Sequence, residues 1–418
     1  MDQEKRAQRR RGSVRSGTSD RMSISMMFEG TEARPLQRLP WYKPLSAWTS
    51  RDANFIPVRS GISRHVVRFI RLRRSAFAVK ETSGEAAGRE VDTYLRLRSL
   101  GVPTLIPVGT VYRIDGLVPV NTAVGVQAET HATGYVVTRL LEYSIPNYFL
   151  FRRQFQKINR KRIWDAIITL FVGLHIKNIF WGDASLSNMM IVFAKERFPE
   201  IGNRTVLRAV LADAETVEFH PTLSESMRLS DLSNFLESIA WAEEDLRRSG
   251  TSPDPMIAAG DQRYILQRYR DLFEIEHEEK WFAMITNMDV DRLLGTFQEP
   301  GQSRALLQHI YEHKWYLSER RGREVPVDEA ARDWYVHVFK PVLKLFAEYD
   351  ILHDFPDSTA ASLYLDIMLH KYYLSQQFGS DVGLTAAFES YSRKSGRRIE
   401  SAEKMTGLLR SMKKLFDR

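Results

Sequence analysis

The chain has no cysteine among its 418 residues, which excludes disulfides, thiol nucleophiles and cysteine-bound metal. It also lacks any apolar run of the roughly 18 uncharged residues that a membrane helix needs. The nearest candidate, Ile163 to Trp181, is interrupted by Asp165, His175 and Lys177. The N-terminus has no apolar stretch of signal-peptide type, so the expected location is the cytoplasm. With 43% hydrophobic and 27% charged residues, the composition is that of a protein that buries real cores, and the length allows two or three domains.

The net charge is +8, and it is concentrated at the ends. Residues 1–21 carry a net +4 and residues 393–418 a net +6, leaving the remainder slightly acidic. Such ends suit an anionic partner, a membrane surface or nucleic acid; a solubilising tail is the plainer reading and ranks first. Within the C-terminal stretch, Met405, Leu408, Leu409, Met412, Leu415 and Phe416 fall at helical spacing, with Lys404, Arg410, Lys413 and Lys414 around them. A basic amphipathic helix over 393–418 is expected, docked on its own domain rather than on a membrane.

Residues 1–48 lack hydrophobic periodicity, are rich in Arg, Ser and Gly, and read as a disordered basic tail. From 49 to 141 the pattern is mostly strand-like, with Val66–Ile70 and Ala76–Lys80 as β-prone runs, a helix from Gly84 to Leu100, and strands at Thr104–Tyr112 and Gly134–Leu141. From 142 to 250 a helical stretch, Lys161–Ile176, precedes a Gly-Asp turn, a strand at Met189–Phe193 and another at Val206–Ala212. Thr251 to Gly260 reads as a linker, and 261–392 as a helical domain.

That domain contains a repeat: residues 306–330 align with 363–387 at a constant offset of 57. Leu306/Leu363, Ile310/Ile367, His313/His370, Lys314/Lys371, Tyr316/Tyr373, Ser318/Ser375, Gly322/Gly379 and Val325/Val382 are among the identities. Each copy reads as a helix stopped by glycine, an extended valine, and a new helix. His313 and His370 are expected to pack or cap, because no carboxylate or second histidine recurs beside them at metal spacing.

Five residues stand in the order that phosphoryl transfer from ATP requires: a cation on the phosphates, a carboxylate to fix it, a base for the acceptor hydroxyl, and oxygen ligands for magnesium. Lys80 ends a strand and Glu90 lies in the next helix, with Glu85 as its rival. Asp183 and Asn188 form D-x4-N between a helix and an apolar strand, and Asp213 closes the strand after that. Each alone is weak, but the ordered set is hard to reach by accident.

On these residues the chain from about 60 to 240 resembles the protein-kinase-like superfamily, most closely the bacterial lipopolysaccharide kinases of the Kdo/WaaP type. It also resembles a bacterial family in which such a domain precedes a helical domain of unknown function. The resemblance implies an α+β, bilobal protein-kinase-like fold, with an N-lobe at 49–141, a minimal C-lobe at 142–250 and an all-helical C-terminal domain. It implies an ATP- and Mg2+-dependent phosphotransferase acting on an unidentified hydroxyl acceptor. Asp183 would then be the base, Lys80 would hold the phosphates with Glu90 positioning it, and Asn188 and Asp213 would bind metal. Gly134–Glu142 is similar to the strand leading to the adenine hinge, which implies Arg139 and Leu141 as cofactor-binding residues. Arg228-Leu229-Ser230-Asp231-Leu232 resembles the helix start whose Asp steadies the catalytic loop.

The departures are equally specific. No G-x-G-x-x-G precedes Lys80, leaving Arg64 or Arg68, or other backbone amides, to meet the phosphates. Trp181-Gly182-Asp183 stands where His-Arg-Asp is usual, and Asp213-Ala214-Glu215 where Asp-Phe-Gly is usual. The short span from Asp213 to Asp231 leaves no room for a long activation segment. These losses keep a second reading open, a pseudokinase-type nucleotide-binding module with a helical partner-docking domain.

Overall fold

The structure, a computed structural model, describes residues 22–28, 32–57, 65–122, 125–146, 150, 157–198, 202–248, 260–290, 297–355, 358–394 and 402–416. The chain divides into two compact units, Met1–Arg268 and Tyr269–Arg418. The expected linker at 251–260 lies, except for Gly260, outside the described residues.

The first unit is built on a six-stranded antiparallel sheet, in the order β1-β5-β6-β4-β3-β2. Its strands are β1 (Ser23–Phe28), β2 (Asn54–Phe55), β3 (Val67–Leu72), β4 (Ser75–Ser83), β5 (Ile106–Thr122) and β6 (Gly125–Arg139). Side chains alternate across a strand, so β4 sorts its residues by parity. Phe77 and Val79 are wholly buried on one face, and Ala78 and Lys80 point to the other. The second face carries the helix Gly84–Ser99, whose N-cap Ser83 accepts from the Ala86 amide at 3.2 Å. Ala87, Glu90, Tyr94 and Leu97 lie on its buried stripe.

The first face corrects the expectation that residues 1–48 are a disordered tail. Residues 22–28 form β1, which pairs with β5 from Ser23↔Ile114 to Phe28↔Gly109. Leu36, Leu39, Trp41, Leu45 and Trp48 are buried in one cluster with Phe77, Val79, Tyr135 and Val137. Residues 32–48 include only a short helix, α1 (Ala33–Gln37), and a single 3-10 turn. Its apolar residues therefore follow no regular period, although their bulk closes the sheet. The charge-rich part, 1–21, lies outside the described residues.

Below the sheet, α2 is the Gly84–Ser99 helix, α3 spans Lys157–His175, and α4 spans Glu225–Arg248. Short strands β7 (Ser144–Pro146), β9 (Met189–Phe198) and β10 (Gly202–Leu211) form a sheet in the order β10-β9-β7, and β8 (Ile179–Phe180) pairs with β11 (Glu218–Phe219). Trp164 and Phe171 of α3 pack on Phe235 of α4, with ring centroids 6.3 Å and 5.5 Å apart. An antiparallel sheet with one helix, followed by this largely helical part, gives the two-part α+β organisation expected. The helix α5 (Asp261–Thr286) begins in this unit, because Tyr264 donates to Asp165 at 2.6 Å and Asp261 pairs with Arg160 at 3.4 Å. The expected domain start at 261 therefore moves to about the Arg268–Tyr269 division.

The second unit is all-helical where described. It contains α6 (Gln302–Arg321), α7 (Val327–Trp334), a π turn at Tyr335–Phe339, α8 (Lys340–Glu348), α9 (Ile351–Asp354), α10 (Ala360–Phe378), α11 (Gly383–Lys394) and α12 (Ala402–Phe416). The repeat is structural as well as sequential. Both α6 and α10 end at a left-handed glycine, Gly322 and Gly379. Ser318 accepts from the Val325 amide at 3.1 Å, and Ser375 from the Val382 amide at 3.2 Å. Lys314 bonds Glu324 and Lys371 bonds Asp381, each at 3.0 Å. His313 meets Asp333 at 2.8 Å, and His370 meets Ser390 at 2.9 Å. The two histidines thus fasten one helix to the next at equivalent places.

The C-terminal helix buries Leu408 and Met412 in the core of the second unit, as expected for docking on its own domain. Among the described residues, no helix is long and apolar enough to cross a membrane.

Candidate active site

Lys80 emerges from β4 on the face covered by α2, where its parity places it. Its Nζ lies 3.0 Å from Glu90 Oε2 and 3.2 Å and 3.3 Å from the two carboxylate oxygens of Asp213. Glu90 and Asp213 are separated from Lys80 by ten and 133 positions, so the fold alone brings them together. Glu85, the rival to Glu90, is on the exposed side of α2 beside Arg89 at 3.7 Å.

The electrostatics keep Lys80 charged. Burial disfavours its ammonium, but the Glu90 and Asp213 carboxylates outweigh that and hold its pKa above the ordinary lysine value. Burial pushes the Glu90 carboxyl up, and the Lys80 charge only partly offsets this. Tyr94, one turn further along α2, sits 2.8 Å from Glu90 Oε1 and 2.8 Å from the carbonyl oxygen of Ala212, with one proton for two acceptors. Burial raises its pKa well above that of free tyrosine, so it remains a neutral donor.

The loop from Trp181 to Asn188 is held from below. Asp231 on α4 is wholly buried and accepts from the Trp181 and Gly182 amides at 2.8 Å each. His175 Nε2 is 3.1 Å from the same carboxylate, and Asn234 donates to the Gly182 carbonyl at 3.1 Å. Gly182 has φ +82°, and a Cβ there would stand 3.0 Å from the Thr216 carbonyl oxygen; this turn needs glycine. The position therefore carries no arginine for backbone reasons as well as chemical ones. The Trp181 indole fills the space beside Phe171 and donates to the Asp213 carbonyl at 3.2 Å.

These contacts join the two halves of the predicted set. The Ala212 amide donates to the Asn188 carbonyl at 2.9 Å, placing Asn188 and Asp213 at neighbouring ends of β9 and β10. Asn188 Nδ2 bonds the Asp183 carbonyl at 3.0 Å and its carboxylate at 3.2 Å. The side chain thus donates through Nδ2 to Asp183, and its amide oxygen is the acceptor end. Asp183 itself is exposed.

Arg139 does not join this set. It pairs with Phe77 across the sheet and so shares the face opposite Lys80, where it bonds Glu32 at 2.7 Å. Arg68, opposite Val79, shares that face and lies over the Phe55 ring at 5.7 Å. Period-2 alternation excludes both side chains from the cleft. Arg64 lies outside the described residues. Leu141 is half-buried just past β6, and its carbonyl accepts from Ser144 at 2.8 Å.

The sequence reading missed Glu215, a neighbour of Lys80, and His65, which meets Glu215. Glu215 Oε2 stands 3.5 Å from Nζ and 3.2 Å from His65 Nε2. It is the third residue of the Asp213-Ala214-Glu215 run, and that departure from Asp-Phe-Gly was its only signal. Counting Glu90, Asp213 and Glu215 against Lys80 leaves a surplus of carboxylates. Among the described residues, no three His, Asp or Glu form a ready metal cluster. Asp213 and Asn188 offer two hard oxygen ligands, the number with which magnesium is commonly held when phosphates supply the rest.

No curated protein matches this sequence. A family model described as a domain of unknown function (DUF4032) matches residues 276–339 and 330–395, both in the second unit. The chain is similar in structure to WaaP in complex with acyl carrier protein, at 15% identity and TM-score 0.35, covering 59% of this chain and 98% of that one. It is also similar to the Rio2 kinase from Chaetomium thermophilum, at 15% identity and TM-score 0.31, covering 46% of this chain and 57% of that one. A third is an aminoglycoside-3'-phosphotransferase of type VIII, at 14% identity and TM-score 0.33, covering 52% of this chain and 85% of that one.

Proposed function

We propose that the first unit is an ATP- and Mg2+-dependent phosphotransferase that moves the γ-phosphate to a hydroxyl acceptor. The observation that carries this reading is the meeting of Lys80 with Glu90 and Asp213 within 3.3 Å. A charged lysine fixed by a helix carboxylate and aimed at a second, half-exposed carboxylate is what gripping a metal-bound polyphosphate requires. Asp213 and the Asn188 amide oxygen would hold the cation. When bound, Mg2+ would neutralise charge developing on the transferred phosphoryl group.

Lys80 binds and orients the phosphates, and Glu90 keeps Lys80 extended. Asp183 accepts the proton of the acceptor hydroxyl; its carboxylate is steered by Asn188. Asp231 and Trp181 hold the backbone on which Asp183 stands. The adenine would lie against backbone near 139–141, without the Arg139 side chain. Protein-kinase-like enzymes act on diverse hydroxyls, and the site does not choose among sugar, lipid or protein acceptors.

Full-length protein incubated with γ-labelled ATP and Mg2+ tests the reading. Turnover or autophosphorylation is expected in the wild type. Asp183→Asn is expected to bind nucleotide without turnover, a loss on the order of a thousandfold. Asp213→Ala is expected to lose Mg–ATP binding as well. Full activity in both variants overturns the assignment.

A further inference from the structure

We propose that His65 is a phosphate-binding residue of the cleft, donating from Nε2 to the terminal phosphates of a nucleoside triphosphate where a glycine-rich loop would otherwise reach. This rests on the nucleotide-binding reading above and names a residue that reading does not use.

Parity is the first ground. In β3, Val67 pairs with Lys80 and Phe69 with Ala78, so odd-numbered residues share the Lys80 face. His65 precedes Val67 by two, at a bend just before β3, where the Glu81 amide still donates to the Val66 carbonyl at 3.0 Å and carries the pairing to the strand entrance. Even-numbered Arg68 falls on the other side, over Phe55. Of the two basic residues the sequence offered for the phosphates, the one described is thereby turned away.

Distance is the second ground. His65 Nε2 lies 3.2 Å from Glu215 Oε2, and that same oxygen lies 3.5 Å from Lys80 Nζ. One carboxylate oxygen thus bridges the imidazole and the ammonium. An anion of phosphate size placed at the Lys80 ammonium meets the same two donors. Glu215 is a stand-in anion, held between groups that a triphosphate would engage more strongly with its greater charge. Asp213 Oδ1 accepts from the Glu215 amide at 3.2 Å, so Glu215 and the metal carboxylate share one short turn.

Chemistry is the third ground. The sequence before Lys80 lacks G-x-G-x-x-G, the motif whose backbone amides would cradle phosphates on that side. A neutral imidazole with Nε2–H supplies a side-chain donor without adding fixed charge, so the role does not depend on His65 being protonated.

Calorimetric titration of the full-length chain with Mg–ATP and, separately, with adenosine tests this. His65→Ala is expected to weaken Mg–ATP roughly ten- to hundredfold, the range for a hydrogen bond to a charged group, and to leave adenosine unchanged. His65→Gln, whose amide nitrogen can still donate, is expected to recover part of the loss. Glu215→Gln is expected to bind Mg–ATP at least as tightly as the wild type, because the competing anion is gone. Lys80→Met provides the reference for a lost phosphate contact. If Lys80→Met weakens Mg–ATP and His65→Ala does not, His65 has no phosphate role while the broader reading stands. If His65→Ala weakens adenosine equally, it acts through the fold and the proposal fails. If the folded wild type binds no Mg–ATP, both fall together.

Discussion

The Tyr94 hydroxyl and the Ala212 carbonyl oxygen are 2.8 Å apart, although 118 positions separate them in sequence. Ala212 immediately precedes Asp213, and Tyr94 follows Glu90 by one helical turn. A single phenol therefore registers α2, and with it Glu90, against the strand end that leads to Asp213. A helix hooked in this way has little freedom to swing Glu90 away from Lys80.

Tyr94→Phe keeps the ring and removes the hook. It is expected to cost about 1 kcal/mol of stability, since one donor is lost and the packing is retained. Turnover with Mg–ATP is expected to fall more, roughly ten- to hundredfold, because Lys80 and Asp213 lose their common register. Thermal denaturation beside steady-state kinetics checks the split; equal stability and rate in the variant would remove the hook from the mechanism.

Asp231 accepts two amides and faces His175, and both of these side chains are fully buried. Asp231→Ala leaves those donors unsatisfied in the interior and is expected to destabilise the first unit by roughly 3 kcal/mol or more. Urea unfolding measures this directly. A loss below about 1 kcal/mol would mean that the loop is held by its other contacts.

Burial holds the His175 pKa below the ordinary 6.5, and the Asp231 carboxylate only partly restores it. The unfolded chain takes up a proton near pH 6.5 while the folded chain resists doing so. The His175 contribution is therefore complete above pH 6.5 and declines as pH falls from there towards the folded pKa, by at most about 1.4 kcal/mol per pH unit. Unfolding midpoints across that interval are expected to fall on the acid side, and His175→Gln to flatten that part of the profile.

Trp41 lies 5.1 Å from Trp48 and 5.3 Å from Tyr135, ring to ring, and is wholly buried. Trp41→Ala is expected to cost roughly 3–5 kcal/mol. A disordered tail at this position would give no change, so one denaturation curve separates the two descriptions.

Ser318 and Ser375 make matching bonds to the Val325 and Val382 amides in the two repeats. Ser318→Ala and Ser375→Ala are each expected to cost about 1 kcal/mol, and the double variant close to their sum. Strongly unequal costs would show that the copies have diverged energetically.

What the sequence made legible was local pattern joined to order. Lys80 at a strand end, D-x4-N between helix and strand, and Asp213 after the next strand are each set by a few neighbouring residues, and their order is that of the cleft. Glu90 over Glu85 was settled only by the rotation of α2 on the sheet. Arg139 was misplaced because a likeness to the hinge strand says nothing of which face each side chain takes, whereas the Phe77↔Arg139 register does. The strap around Trp41 was missed because irregular backbone carries no period to detect. Tyr94, His65 and Glu215 meet partners far off in the chain, which spacing along one strand or helix cannot supply.

Leu306 and Ile310 share one buried cluster with their counterparts Leu363 and Ile367. Corresponding apolar positions of the two copies thus meet in a common interior, so a change of volume at one of them is felt in the surroundings of the other.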